Sequence, residues 1–200
     1  MFGFDLASLF VRIPVVLIAI TVHEFAHAYA AYRMGDSTAA DRGRLSLNPL
    51  HHLDPIGTLM LVFFRFGWAK PVPINPFNFK EYKKGVVLVS LAGPASNIMM
   101  ALVGAILARL IFPLGIPILV DFIFNFIYIN IVLAVFNLLP VPPLDGSRLI
   151  TVLIPPKYEH ISIALERYGF FMLIGLIVIF PGIFFSIVQP ITLFLLNLFI

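Results

Sequence analysis

The chain has 200 residues, 60% of them hydrophobic and only 12% charged, with a mean hydropathy of +1.03. Soluble domains carry about 25% charge, and a small fold keeps much of its surface in contact with solvent, so water is excluded as the main solvent. The lack of cysteine excludes disulfides and thiolate metal sites, and a net charge of +3 is too mild for nucleic-acid binding.

The expected elements follow from the uncharged runs. Leu9 to Tyr32 reads as a first span, although it holds Arg12, His23, Glu24 and His27. A signal peptide is disfavoured, because the start is not basic and polar groups interrupt the small-residue run Ala26–Ala31. The apolar piece Gly57–Phe64 is too short to cross, so a re-entrant or β-hairpin element is expected near 55–66. Gly85 to Ala108 gives 24 residues without charge, and Phe122 to Leu144 gives 23 more. A helix needs about 20 apolar residues to cross the hydrocarbon, so each makes one span. The 33 residues after Arg167 are also uncharged, but Pro181-Gly182 and Pro190 interrupt them. A span to about Phe180 followed by a second membrane segment is expected. The sum is an all-α polytopic membrane protein of about four to six transmembrane helices, forming a single domain over 1–200.

Orientation follows from the basic residues. Eight of the thirteen lie between Arg33 and Lys84, and the turn Ile111–Val120 has none. The positive-inside rule puts the first loop in the cytoplasm and the N-terminus outside.

His23-Glu24-Phe25-Ala26-His27 carries the chemistry. Residues four apart on a helix share one face, so both imidazoles can grip one ion, with Glu24 beside them to take a proton from water. Ionisable groups inside a membrane helix are costly and functional by default. Zinc needs a third protein ligand if one position is to stay open. Most later carboxylates stand among basic loop residues, where a solvated charge is the natural reading. Asp145 differs, closing a long uncharged run within Asn137-Leu-Leu-Pro-Val-Pro-Pro-Leu-Asp145-Gly146. Three prolines in four residues cannot extend a helix, and irregular backbone at membrane depth survives only when buried or lining a wet cavity. Its depth near the inner face matches that of His27, about 9 Å above Arg33 on the first span.

These residues resemble the intramembrane site-2 zinc metalloproteases. HExxH on a membrane helix, followed by Asn-x-x-Pro-x-Pro-x-Leu-Asp-Gly at the end of a later one, is similar to that family's two-part signature. Gly43–Gly57, Gly67–Pro73 and Ala92–Asn97 are similar to its compact prokaryotic branch. The resemblance implies a zinc endopeptidase with catalytic base Glu24 and ligands His23, His27 and Asp145. It would cleave transmembrane segments of single-span proteins in regulated intramembrane proteolysis, in the cell membrane, and the bias of basic residues puts the site towards the cytoplasmic face. It also implies that Asn137 holds the substrate backbone. Asn97, four residues after Gly93, suits tight helix packing or a hydrogen bond to the active site, and is a further substrate-binding candidate. Expected partners are a transmembrane protein substrate and the lipid bilayer. The rivals are a zinc or other ion transporter, against which stands the lack of two related halves, and a non-catalytic scaffold. A prenyl-protein protease would want a downstream glutamate rather than Asp145-Gly146.

Overall fold

The computed structural model describes residues 6–57 and 69–200. Its long helices are α1 (Leu6–Met34), α3 (Tyr82–Ile111), α4 (Pro117–Asn137), α6 (Glu159–Ile179) and α7 (Pro181–Phe199). Two short ones, α2 (Thr38–Asp41) and α5 (Asp145–Thr151), sit in the connections. The 29 residues of α1 rise about 44 Å, more than a bilayer's hydrocarbon needs. Among the described residues three helices are long and apolar enough to cross, over Phe10–Met34, Tyr82–Leu114 and Pro117–Asn137, and α6 and α7 carry shorter apolar stretches. The all-α membrane expectation holds. The piece expected near 55–66 falls largely outside the described residues. On its flanks Leu53 and Ala69 form an isolated antiparallel bridge.

α1, α3 and α4 pack against one another, and α7 lies along α4. Lipid tails are as apolar as leucine, so helices in a bilayer associate through close packing of small residues. The buried residues fit that rule: Ala19, Ala28 and Ala31 on α1, Ala101, Ala105 and Ala108 on α3, and Ala134 on α4. Leu102, Ile106 and Leu110 of α3 face outward. Ile123, Phe126, Ile127 and Ile131 of α4 fill the remaining space with Val15 of α1 and Val188 of α7.

Two boundaries differ from expectation or sharpen it. The run Phe122–Leu144 was bounded by charge, whereas the helix starts at Pro117 and stops at Asn137. Proline is favoured in the first helical turn, and the prolines from 140 onward forbid continuation. In the tail the helix breaks at Phe180, between α6 and α7.

Loop structure on the basic side rests on Asp36, which is fully buried. It accepts hydrogen bonds from Thr38 N and Oγ1, from Asn75 N at 2.7 Å and from Asn78 Nδ2 at 2.8 Å. These tie segment 70–80 to the end of α1. Burial by itself would raise the Asp36 pKa, but the donors from Thr38, Asn75 and Asn78 outweigh it and hold the carboxyl below its ordinary value. A depressed carboxyl stabilises the fold fully above its unfolded pKa, and that contribution disappears as pH falls through the folded value. Asp36→Asn should therefore cost about 1–3 kcal/mol at neutral pH. The difference from the parent should shrink as pH drops below about 4. Thermal unfolding in detergent across pH measures both, and a gap independent of pH would refute the ionic part.

Candidate active site

The spacing of four residues places His23 and His27 on one face of α1, both buried at 7% and 6% exposure. Asp145 arrives from the other end of the chain. Helix α4 stops at Asn137, the proline-containing turn reverses, and α5 opens with Asp145 in its first turn. Gly146 makes this turn possible, since a Cβ there would collide with the Leu138 and Leu139 carbonyls. Asp145 Oδ2 lies 3.2 Å from His23 Nε2 and 3.1 Å from His27 Nε2, and the two Nε2 atoms are 3.0 Å apart.

Proton positions decide what this cluster can do. His27 Nδ1 is 2.7 Å from the Val89 carbonyl, which can only accept, so Nδ1 carries the proton. His23 Nδ1 is 2.6 Å from Asn97 Oδ1, likewise an acceptor. In the neutral imidazoles both Nε2 atoms are then lone pairs. Two lone pairs and a carboxylate oxygen, all within 4.8 Å of one another, repel unless a cation sits among them. Two imidazoles and one carboxylate, each imidazole fixed by a bond at its other nitrogen, form a donor set that fits zinc with a position left open. Gly93 of α3 leaves the room. A Cβ there would collide with His27 Nε2 and stand 2.6 Å from His23 Nε2.

Glu24 borders the same cavity, of about 140 Å³, together with Val72, Ser90 and Asn137. One carboxylate oxygen, Oε2, accepts from the Val72 backbone N–H at 3.0 Å. Pro71 and Pro73 flank Val72 and have no N–H, so this is the only backbone donor in that three-residue run. The run is held in place from behind. Arg44 donates to the Lys70 carbonyl at 2.6 Å and the Pro71 carbonyl at 3.3 Å, and Lys70 N donates to the His52 carbonyl. Ser90 Oγ is buried with no protein partner among the described residues.

The structure thus brings His23, Glu24, His27, Asp145 and Asn137 to one cavity. Asn137 stands on its wall with Nδ2 bonded to the Leu133 carbonyl. Asn97, the other substrate-binding candidate, is not among the residues that line this cavity. It is completely buried behind His23, and its side chain is engaged with His23, Ala19 and Asn130. The hydrogen bond to a site residue expected as one of its roles is present, to His23. Sequence reasoning missed Val72, whose contribution is a backbone N–H that no side-chain pattern announces. It missed Ser90 too, an unremarkable polar residue on an apolar helix.

His23 and His27 on α1, a helix of membrane-spanning length, and Asp145 of the short α5 form a group that could hold a metal ion, with the Glu24 carboxylate beside it, the arrangement of a membrane-embedded metalloprotein. The family model of peptidase family M50 matches residues 113–180. YwhC of Bacillus subtilis, provisionally designated a zinc metalloprotease, is 44% identical over 170 residues, covering 82% of this chain and 78% of that protein. Rip2 of Mycobacterium tuberculosis, designated likewise, is 31% identical over 183 residues, or 86% of this chain and 69% of its own. MJ0611 of Methanocaldococcus jannaschii, also so designated, is 45% identical over 62 residues, 31% of each chain. The chain belongs to the M50 or site-2 protease family, and is a multi-pass membrane zinc metalloprotease. No solved structure matches it.

Proposed function

We propose that this chain, acting as a single membrane domain, is an endopeptidase that cuts transmembrane segments of single-span proteins within the bilayer, as in regulated intramembrane proteolysis. The observation that carries the reading is the meeting of Asp145 with His23 and His27 beside Glu24, the last three on a helix long enough to cross a membrane. His23, His27 and Asp145 serve as the zinc ligands. When bound, zinc polarises the scissile carbonyl and makes a water acidic enough to lose its proton near neutral pH. Glu24 takes that proton and returns it to the leaving amine. The Val72 N–H holds one carboxylate oxygen and leaves the other for this work. Asn137, on the cavity wall, holds the unwound substrate backbone.

The test is reconstitution with a single-span peptide in vesicles, with the cut site mapped by mass spectrometry. Cleavage inside the hydrophobic segment, stopped by a chelator and restored by zinc, is the expected result. Zinc flux across the vesicle wall without cleavage would favour a transporter.

We place the protein in the cell membrane with the site towards the cytoplasm, supported by eight basic residues between Arg33 and Lys84. A single cysteine at Lys80 should be labelled by impermeant thiol reagent only from the cytosolic side, and one at Leu114 only from outside. Both positions are exposed, and Leu114 avoids the left-handed backbone of Gly115 (φ 63°). Reversed labelling would overturn the orientation.

A further inference from the structure

Behind the site lies a chain of buried amides that the proposed chemistry does not use. Asn130 of α4 and Asn97 of α3 are both fully buried. Asn130 Nδ2 donates to the Phe126 carbonyl at 2.8 Å. Asn97 Nδ2 donates to Asn130 Oδ1 at 2.9 Å and to the Ala19 carbonyl at 3.2 Å. Asn97 Oδ1 faces His23 Nδ1 at 2.6 Å. Three membrane helices are joined in one line.

The direction of this line is forced by chemistry. The Phe126 carbonyl can only accept, so Asn130 must turn its nitrogen there and its oxygen to Asn97. Asn97 then meets two acceptors, Asn130 Oδ1 and the Ala19 carbonyl, which take its two N–H groups and leave its oxygen for His23. Any reversed amide would press two acceptors together in a medium without water to relieve them.

We infer that Asn130 is a positioning residue which, through Asn97, fixes the His23 tautomer that presents the Nε2 lone pair to the metal; this rests on the zinc reading of His23, His27 and Asp145. Without Asn130 Oδ1, reversal of the Asn97 amide is opposed only by the longer bond to Ala19. A reversed Asn97 offers N–H to His23 Nδ1, which moves the imidazole proton to Nε2 and blocks the ligand atom. An aspartate at position 97 has no N–H to present to His23, but it sets a carboxylate oxygen against Asn130 Oδ1, a clash that loss of the Asn130 oxygen relieves.

The experiment measures zinc affinity of the purified full chain by competition with a chromophoric chelator, with far-UV circular dichroism confirming the fold. Asn130→Leu, which keeps the shape and removes the oxygen, should bind zinc about 10–100-fold more weakly. Asn97→Asp alone, its carboxylate pressed against Asn130 Oδ1, should also bind zinc more weakly than the parent. The double variant Asn97→Asp/Asn130→Leu, in which that clash is gone and an acceptor still faces His23, should bind zinc more tightly than either single variant. A purely structural role for Asn130 would leave the double variant as weak as Asn130→Leu, and overturn the inference. Unchanged affinity in Asn130→Leu would do the same, and Asn130→Ala serves the comparison if the leucine variant does not fold. His23→Ala separates the two readings. Unchanged zinc there removes the metal assignment and the relay with it, whereas zinc lost there but kept in Asn130→Leu removes the relay alone.

Discussion

Glu24→Gln should keep its zinc and lose cleavage of a membrane-spanning peptide by about 10²–10⁴-fold, the usual contribution of a general base. Glutamine matches glutamate in shape, and its oxygen can still accept from the Val72 N–H, so the run Pro71–Pro73 should keep its place. What it cannot do is take a proton from the attacking water. The substituted group lies next to His23 but is not among the three converging donor atoms, so metal content should be unchanged. Metal analysis and rate measured on the same preparation decide the matter. Activity within a few-fold of the parent would show that Glu24 is not the base. Loss of zinc would show instead that it holds the metal site together.

The second large effect concerns the metal. His23→Ala and Asp145→Ala should each leave purified protein largely free of zinc, because two protein ligands are too few for a stable site that also keeps a position open. Gly93→Ala should reach the same end by another route. Its added methyl would lie against both Nε2 atoms, and α3 is held in place by packing on α1 and α4. The two routes differ in kind, one removing a donor and the other occupying its space. Zinc content equal to the parent in both His23→Ala and Asp145→Ala would sink the ligand assignment. Zinc retained in Gly93→Ala alone would mean that α3 gives way at Pro94.

Much of this site was legible in the chain because its logic is local. The step of four between His23 and His27 is a property of one helix, and helical geometry alone puts both imidazoles on one face. The prolines between Asn137 and Asp145 mark a break in a hydrophobic run, and a break at membrane depth needs a reason. The same argument located the end of α6, where Phe180-Pro181 interrupts the apolar tail. Spans were less exact, as Phe122–Leu144 shows, because charge bounds the apolar run while proline bounds the helix.

Composition and pattern by themselves determined that this protein lives in a membrane, that its spans are helices, and that α1 carries two imidazoles one turn apart with a carboxylate beside them. These follow from transfer of side chains out of water and from helical periodicity, neither of which needs a partner in space. Only the tertiary structure decided the rest. Asp145 meets His27 across 118 residues of chain, Asn97 meets His23 across 74, and Val72 meets Glu24 across 48. Such contacts depend on which small faces let α1, α3 and α4 come close. The sequence marks those faces with glycine and alanine, but does not say what will lie against them.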